Sequence, residues 1–477
     1  MSGSPEGIYE PGIIDPGVPV ENPTTPFWLS SPHPLANHQS PWPATAVDIV
    51  IIGSGISGTS IAQTILSKRP ELKVTLIDGR SLCSGATARN GGHIKTMAYA
   101  VWEDRKRTFG IEEAIKITAF EHSHLEVMTN AIRENSLDCD LVPTEGVDAY
   151  YDRKTFNKAL AALSDMQAHT PQIAGKYKVH TDQSILQGEM KLSSQCVGAI
   201  VVPAASVWPY KMVTGLLGGM IDSGKLNVQT HTTVREIHDS VHDDFAIVRT
   251  DRGDIKATHV VHATNGWMGH LLPELRPFIS PVRGNVVHYG PITENQKIPG
   301  KETESRGGIS PMGIDKKVSF WLRYADKDYD YLIQRAQGDV VVGRANTGRK
   351  ATGDDSQTDL QPMAHLRGFP DEAFKCPSRG SSAQIEHAWS GILGFTQDAM
   401  PFVGRLPFPS RSHQWVCGGY HGIGMVKAFR TGQMVALLIL GESLDEEYPL
   451  SMLVTDERIG RLRRSLDEGN GVMKAKL

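Results

Sequence analysis

Three glycines and one acid carry the clearest chemistry in the chain. Gly53, Gly55 and Gly58 stand in the pattern Gly-x-Gly-x-x-Gly, and Asp78 follows 25 positions after the first of them. Glycine at the first place permits a tight turn, at the second a close backbone approach to a pyrophosphate, and at the third close packing of a helix on a strand. A helix opening at this turn, with Ile56 and Ser57 in its first residues, turns free amide groups and its positive end toward an anion. Asp78, with Gly79 and Arg80 after it, is placed to accept hydrogen bonds from a ribose diol. The pattern implies a bound dinucleotide. It leaves NAD and FAD both open, and a glycine turn in some other α/β fold is the plainer alternative.

The surrounding elements must place these residues. An apolar run from Ile49 to Ile52 enters the turn, a helical pattern with Ile61, Ile65 and Leu66 leaves it, and a second run, Val74 to Ile77, ends in Asp78. Residues 47–80 therefore read as strand, helix, strand. A chain of 477 residues is long enough for two or three domains. Its 49 basic and 53 acidic residues nearly balance, which makes no case for nucleic acid or an anionic membrane as partner. The five cysteines at 83, 139, 196, 376 and 417 form no Cys-x-x-Cys and read as reduced thiols, with no metal site. No apolar run reaches the roughly 18 residues of a membrane span, and the first residues lack the basic and apolar regions of a signal peptide.

Residues 1–46, rich in Pro, Ser, Asn and Gly, read as an extended arm, held on the body by Phe27, Trp28 and Trp42. Helical patterns cover 112–133, 154–166 and 185–190, strand-like runs recur from 139 to 424, and an apolar helix runs on to Leu440. Residues 291–316 and 346–383 read as polar, irregular loop. The opening strand–helix–strand unit lies far from the other strands of its sheet, so the nucleotide domain is expected to be discontinuous.

Three further stretches narrow the ligand: residues 85–93, which hold Ala86, Thr87, Arg89, Asn90, Gly91, Gly92 and His93; residues 389–404, which hold Gly391; and residues 418–425, which end Gly422-Ile423-Gly424-Met425. Together with the glycine fingerprint and residues 260–264, and in this order, they make residues 47–445 resemble the D-amino-acid oxidase/glycine oxidase superfamily of FAD enzymes. The arm and the Arg89–Gly92 variant are most similar to a fungal-type branch acting on amines, polyamine derivatives included. The resemblance implies an α/β fold, a Rossmann-like FAD-binding domain with an inserted α+β substrate domain built on a mostly antiparallel sheet. It places FAD-binding parts at 47–138, 204–275 and 385–445, substrate parts at 139–203 and 276–384, and a tail at 446–477. It implies that the 86–93 stretch lies along the ribityl chain and ring, that Val234 meets the adenine end through its backbone, that Thr264 and its turn cover the phosphates, and that Gly391 lies by the flavin. Gly422 to Met425 are expected to open a helix whose amides face the flavin pyrimidine edge, where the reduced ring is negative. A nicotinamide enzyme needs no such second element, so the expected cofactor is FAD.

In this family, by resemblance, a hydride passes from the carbon beside an amine nitrogen to flavin N5, the imine hydrolyses, and O₂ reoxidises the flavin to give H₂O₂. Tyr420 and His421 are the candidate residues beside the ring, with a packed supporting role as the alternative. Arginines that hold the substrate carboxylate in the amino-acid oxidases correspond here to Leu393 and Gly422, so an amine without a carboxylate is expected. Arg323, Arg335 and Arg344 are possible substitutes. Trp321, Tyr324, Tyr329 and Tyr331 read either as an aromatic cage or as strand packing; Trp321, Arg323 and Tyr324 are the candidate substrate residues. The cysteine that attaches flavin covalently in sarcosine-oxidase-like relatives corresponds to Gly391, and His93 is read as a non-covalent contact. Rival readings are a tailoring oxidoreductase of fungal secondary metabolism, an NAD-dependent dehydrogenase and a non-catalytic flavin-binding protein. The ending Ala475-Lys476-Leu477 is a variant of the peroxisomal address, so the expected location is peroxisomal or else cytoplasmic.

Overall fold

The computed structural model describes residues 14–239, 242–291, 312–314, 317–326, 328–345, 350–375 and 384–474. Most of the loop expected at 291–316, Cys376 and the final Ala475 to Leu477 lie outside the described residues.

Two sheets organise the chain. In the first, Val47–Ile52 runs parallel between Val74–Ile77 and Gly253–His262. Leu226–Gln229 and Gln414–Gly418 extend this parallel set on either side. The hairpin Val234–His238 and Ala246–Thr250 joins antiparallel onto Gly253–His262, and Phe402–Arg405 closes the other margin. Ile49, Val50 and Ile51 are buried on both faces of the sheet, which is why their stretch reads as an unbroken apolar run. Helices Ile56–Lys68 and Ala428–Ile439 pack together over one face.

The second sheet runs in the order Ile385–Thr396, Ile279–Tyr289, Val340–Ala345, Asp328–Gln334, Val318–Ala325, Val142–Tyr150, Gly198–Ser206 and His93–Ile94. Its neighbours are antiparallel except Val318–Ala325 with Val142–Tyr150. One core, which includes Trp28, Ile51, Trp321, Trp389 and Tyr420, joins the two sheets.

Three expectations change. His93–Ile94 and Ile385–Thr396 belong to the second sheet, although both fall in stretches expected with the FAD-binding parts. Each leaves the cofactor region as a strand and pairs by backbone, a partnership that motif order cannot express. Residues 360–373, expected to be irregular, form the helix Leu360–Ala373. Gly368 and Pro370 disguise its pattern, and burial of Met363 and Leu366 beside Phe374 supplies the stability its local propensity lacks. Residues 456–474 of the expected tail form a helix whose Ile459 and Leu462 are buried with Phe402 and Val454. No described helix is long and apolar enough to cross a membrane.

The third glycine of the fingerprint is where the two layers meet. A Cβ on Gly58 would fall 2.0 Å from the Gly53 carbonyl oxygen and 3.2 Å from Ile51 Cγ2. Gly58→Ala is expected to cost about 3 kcal/mol, read as a lower urea midpoint with an unchanged m-value.

Candidate functional site

Among the described residues a large cleft is lined from both sheets, and it is built from the fingerprint upward. Gly53 turns at φ +109°, a conformation that favours glycine, and its N–H donates to the Ile77 carbonyl at 2.7 Å. Asp78 accepts from the Ser54 N–H at 3.0 Å, the Ser54 hydroxyl at 2.5 Å and the Arg80 N–H at 2.9 Å. The acid therefore braces the turn while it lines the cleft. Thr87 Oγ1 accepts the Ile56 N–H at 3.0 Å, tying the helix opening to the 86–93 stretch. Gly79, Arg80 and Val234 line one end of the cleft, beside Thr232 and Thr233.

Two arginines on this side share one buried carboxylate. Arg80 Nη1 reaches Asp355 Oδ1 at 3.0 Å, and Arg89 Nε lies 3.4 Å from Asp355 Oδ2. Arg89 also donates to the carbonyls of Ser84 and Ser390. Its guanidinium thus fixes the 86–93 stretch. Burial pushes its pKa down to about 10, against the upward pull of Asp355.

The opposite end is closed by residues 420–426. Gly422 turns at φ +84°. The apolar helix, however, begins at Ala428, after a short 3₁₀ turn over Gly424–Val426 and a break at Lys427, φ −136°. Gly422 to Met425 therefore meet the cleft as a turn, and the expected helix end does not sit there. Tyr420 and His421 line the cleft, and the Tyr420 hydroxyl and His421 Nδ1 bond to the protein. The Tyr420 hydroxyl lies 2.6 Å from Ser57 Oγ and 3.3 Å from Cys417 Sγ, and burial raises its pKa well above the ordinary value. His421 Nδ1 accepts the Thr396 N–H at 3.2 Å. These bonds support a structural role for both side chains, the alternative left open at the outset.

The wall facing the 86–93 stretch comes from the second sheet. Trp321, Tyr329 and Tyr331 line the cleft with His93 and Lys95. The Tyr331 ring fits against Gly91 and its cross-strand partner Gly343, where a Cβ would fall 2.6 Å and 2.0 Å from ring carbons. Tyr324 is a correction: strand alternation turns it to the other face, where its hydroxyl donates to Asp330 at 3.0 Å. Arg323 is a second correction. It lies behind the wall, with Nε 3.0 Å from Asp148 and its guanidinium over the Trp321 and Tyr329 rings at 5.3 and 5.0 Å. Arg344 pairs with Asp328 and Asp330, and Arg335 with Asp339 and Asp140, all away from the cleft. Gly58 and Gly92 also lie outside the lining, as packing positions.

Lys95 and Asp148 were missed in the sequence. Lys95 is buried, its Nζ paired with Asp148 and lying 4.6 Å over the Trp321 ring. Gly146 makes room for its stem: a Cβ there would fall 2.9 Å from Lys95 Cδ. Burial pushes the Lys95 pKa down to about 8, against the upward pull of Asp148. Burial alone would raise the Asp148 carboxyl, and Lys95 and Arg323 together outweigh it and hold it below the ordinary value. One carboxylate thus serves two buried cations and also accepts from Tyr99. Burial and the Lys95 charge push the His93 pKa down to about 3, so its imidazole is neutral. The faint signal was His93-Ile94-Lys95, a strand alternation that turns His93 and Lys95 to one side.

The residues present fit a dinucleotide carrying a redox ring. The cleft is continuous from Thr232 and Val234 to the Gly422 turn, and the fingerprint amides lie along it. Thr264 Oγ1 and Trp267 Nε1, both of cleft-lining residues, are buried without hydrogen-bond partners among the described residues. Gly391 lines the cleft with no nucleophile, and a Cβ there would fall 2.7 Å from Arg89 Cβ, which fits a non-covalent contact. No described cluster of His, Cys, Asp and Glu could hold a metal.

Asp148→Asn leaves Lys95 and Arg323 as unpaired buried cations. It is expected to destabilise the protein by about 3–5 kcal/mol, and adding Lys95→Met should recover part of that loss. Urea midpoints of the single and double variants check both.

Comparisons with known proteins agree with this geometry. The chain is 26% identical over 416 residues to the probable oxidoreductase OrdL of Rhizobium meliloti, covering 83% of this chain and 84% of that protein. It is 21% identical over 422 residues to the gamma-glutamylputrescine oxidoreductase of Escherichia coli, covering 88% and 90%. The crystal structure of glycine oxidase from Geobacillus kaustophilus shares the fold with a TM-score of 0.66 at 16% identity, over 86% of this chain and 99% of that one. The FAD dependent oxidoreductase family (DAO) matches residues 48–438, and the chain belongs to that family of FAD-dependent enzymes.

Proposed function

We propose that the enzyme oxidises an amine C–N bond to an imine, and that O₂ takes up the two electrons and two protons as H₂O₂. FAD, when bound, supplies the two-electron acceptor between the two. The observation that carries the reading is the wall of the cleft beside the Gly422 turn. It combines a neutral His93, the cation of Lys95 and the rings of Trp321, Tyr329 and Tyr331.

An amine gives up a C–H bond with its electron pair only when its nitrogen carries no proton. Below about pH 8 the buried charge of Lys95 opposes an ammonium nearby and favours the free amine. The aromatic wall is not an open cage for a substrate cation, because Lys95 and Arg323 already lie over Trp321, and Arg323 over Tyr329. Trp321, Tyr329 and Tyr331 instead exclude water and orient an apolar or neutral group. Arg80 and Arg89 are the arginines among the described lining residues, and both are paired with Asp355. A substrate carboxylate therefore meets no uncommitted arginine, which favours an amine without one. Gamma-glutamylputrescine oxidoreductase and glycine oxidase, both named for amines, support the reaction class. Membership of the fungal-type branch, with a tailoring reaction on a larger amine, is the finer version of this proposal. It rests on the arm and on residues 89–92, while the relatives named above are bacterial.

Two measurements test the reading. The holoenzyme, mixed without oxygen with a panel of primary and secondary amines, is expected to lose its flavin absorbance with at least one of them and to release H₂O₂ when air is admitted. A yellow protein that no amine bleaches overturns the proposal. Lys95→Met keeps the Asp148–Arg323 pair balanced, so it should fold. Its kcat is expected to rise with pH at a higher pH than in the wild type, because the charge that disfavours the ammonium is gone; an unmoved profile removes Lys95 from this role.

A further inference from the structure

The N-terminal arm lies outside the family match, which begins at residue 48. Its later part docks on body residues such as Tyr210, Val228 and Gln229, and its earlier part, residues 15–28, meets several residues of the cleft and of the 86–93 stretch. Gly17, Val18 and Pro19 line the cleft at the end where Gly79, Arg80 and Thr232 to Val234 gather. Pro19 Cγ lies 4.0 Å from where a Cβ on Gly79 would stand. Asp15 holds this stretch down: its carboxylate lies 2.9 Å from His270 Nδ1, a lining residue, and 2.9 Å from Arg276 Nη2. Buried Pro16 packs tightly on the other side, since a Cβ on Gly353 would fall 2.1 Å from the Pro16 carbonyl oxygen.

Farther along, the arm grips the 86–93 stretch from behind. Thr24 donates its N–H to the Asp355 carbonyl at 2.8 Å, and its hydroxyl oxygen accepts from Arg89 Nη1 at 3.2 Å. Trp28, fully buried, donates Nε1–H to the Asn90 carbonyl at 2.6 Å. An arm that only covered apolar surface would have no reason to choose these partners.

We propose that residues 14–28 form a strap that completes the adenosine half of the FAD site and slows the departure of the cofactor. Val18 and Pro19, with Val234 among the lining residues of the same end, provide apolar surface for the flat adenine ring. Asp15, paired with His270 and Arg276, is the latch. The strap's 15–19 stretch acts on the adenosine of FAD and is indifferent to FMN, which has the flavin and a single phosphate without the adenosine. The inference rests on the FAD dependence of the family and does not depend on amine oxidation.

The test uses the full chain stripped of cofactor and titrated separately with FAD and with FMN, binding being followed by quenching of flavin fluorescence. Asp15→Asn breaks the latch at a half-exposed site, and FAD is expected to bind about threefold more weakly and leave correspondingly faster, a change of the size measured for exposed ion pairs. Val18→Gly with Pro19→Gly, which strips the lining surface of the strap, should weaken FAD further. FMN affinity is expected to stay at the wild-type value in both variants. Equal weakening of FAD and FMN would mean the arm merely stabilises the body, and unchanged FAD affinity in both variants would remove the strap altogether. A melting temperature for each apoprotein separates loss of fold from loss of grip.

Discussion

A single buried carboxylate, Asp355, holds together the parts that make the cofactor site. It is fully buried and pairs with Arg80, which follows Asp78, and with Arg89 of the 86–93 stretch. Its backbone carbonyl receives Thr24 of the arm and the hydroxyl of Ser390 from the second sheet. Three segments far apart in the chain, at residues 24, 80–89 and 390, thus converge on one residue. A buried charge is tolerated only when paired and hydrogen-bonded, so the arrangement has little freedom to drift. Two guanidinium groups on one carboxylate leave one positive charge in surplus, which offsets the Asp78 carboxylate at the fingerprint turn.

Asp148 plays the corresponding part on the other wall. It gathers Lys95, Arg323 and Tyr99 behind the aromatic surface and leaves one positive charge in surplus next to a neutral imidazole. The two centres share a design of one acid against two cations, and the surplus serves different ends. At Asp355 it balances Asp78. At Asp148, in the proposed reaction, it disfavours a proton on the substrate nitrogen. The space between the two is occupied by rings and glycines, which contribute shape and little charge.

How much of this was legible in the sequence depended on the range of the interaction concerned. The strand, turn, helix and acid of residues 47–78 were legible because each is a local necessity: a turn at φ +109° favours glycine, and strands covered on both faces must be apolar. Gly422 was legible for the same reason, while the helix placed on it was not, because the break at Lys427 depends on what its side chain meets: Nζ lies 3.6 Å from Glu121 Oε1 on another helix. Tyr324 was misplaced because a strand shows which residues alternate without showing which face looks at the site, and Arg323, on the face of Trp321, because its pairing with the distant Asp148 draws it behind the rings. The helix at 360–373 was hidden by Gly368 and Pro370, since its stability comes from the sheet it covers.

The sequence by itself determined that the chain holds a dinucleotide, that a second glycine turn far along completes the site, and that an arm with buried tryptophan precedes both. These follow from residue types whose backbone or burial requirements are the same in any context. The tertiary structure alone decided that Lys95 stands in the wall, that Asp148 is divided between two cations, that the hydroxyl of Tyr420 is tied to Ser57, and that residues 17–19 line the cleft with Gly79 and Val234. Each is a pairing between residues distant in sequence, and burial makes the charge of one depend on the position of the other, a dependence that no order of residues expresses.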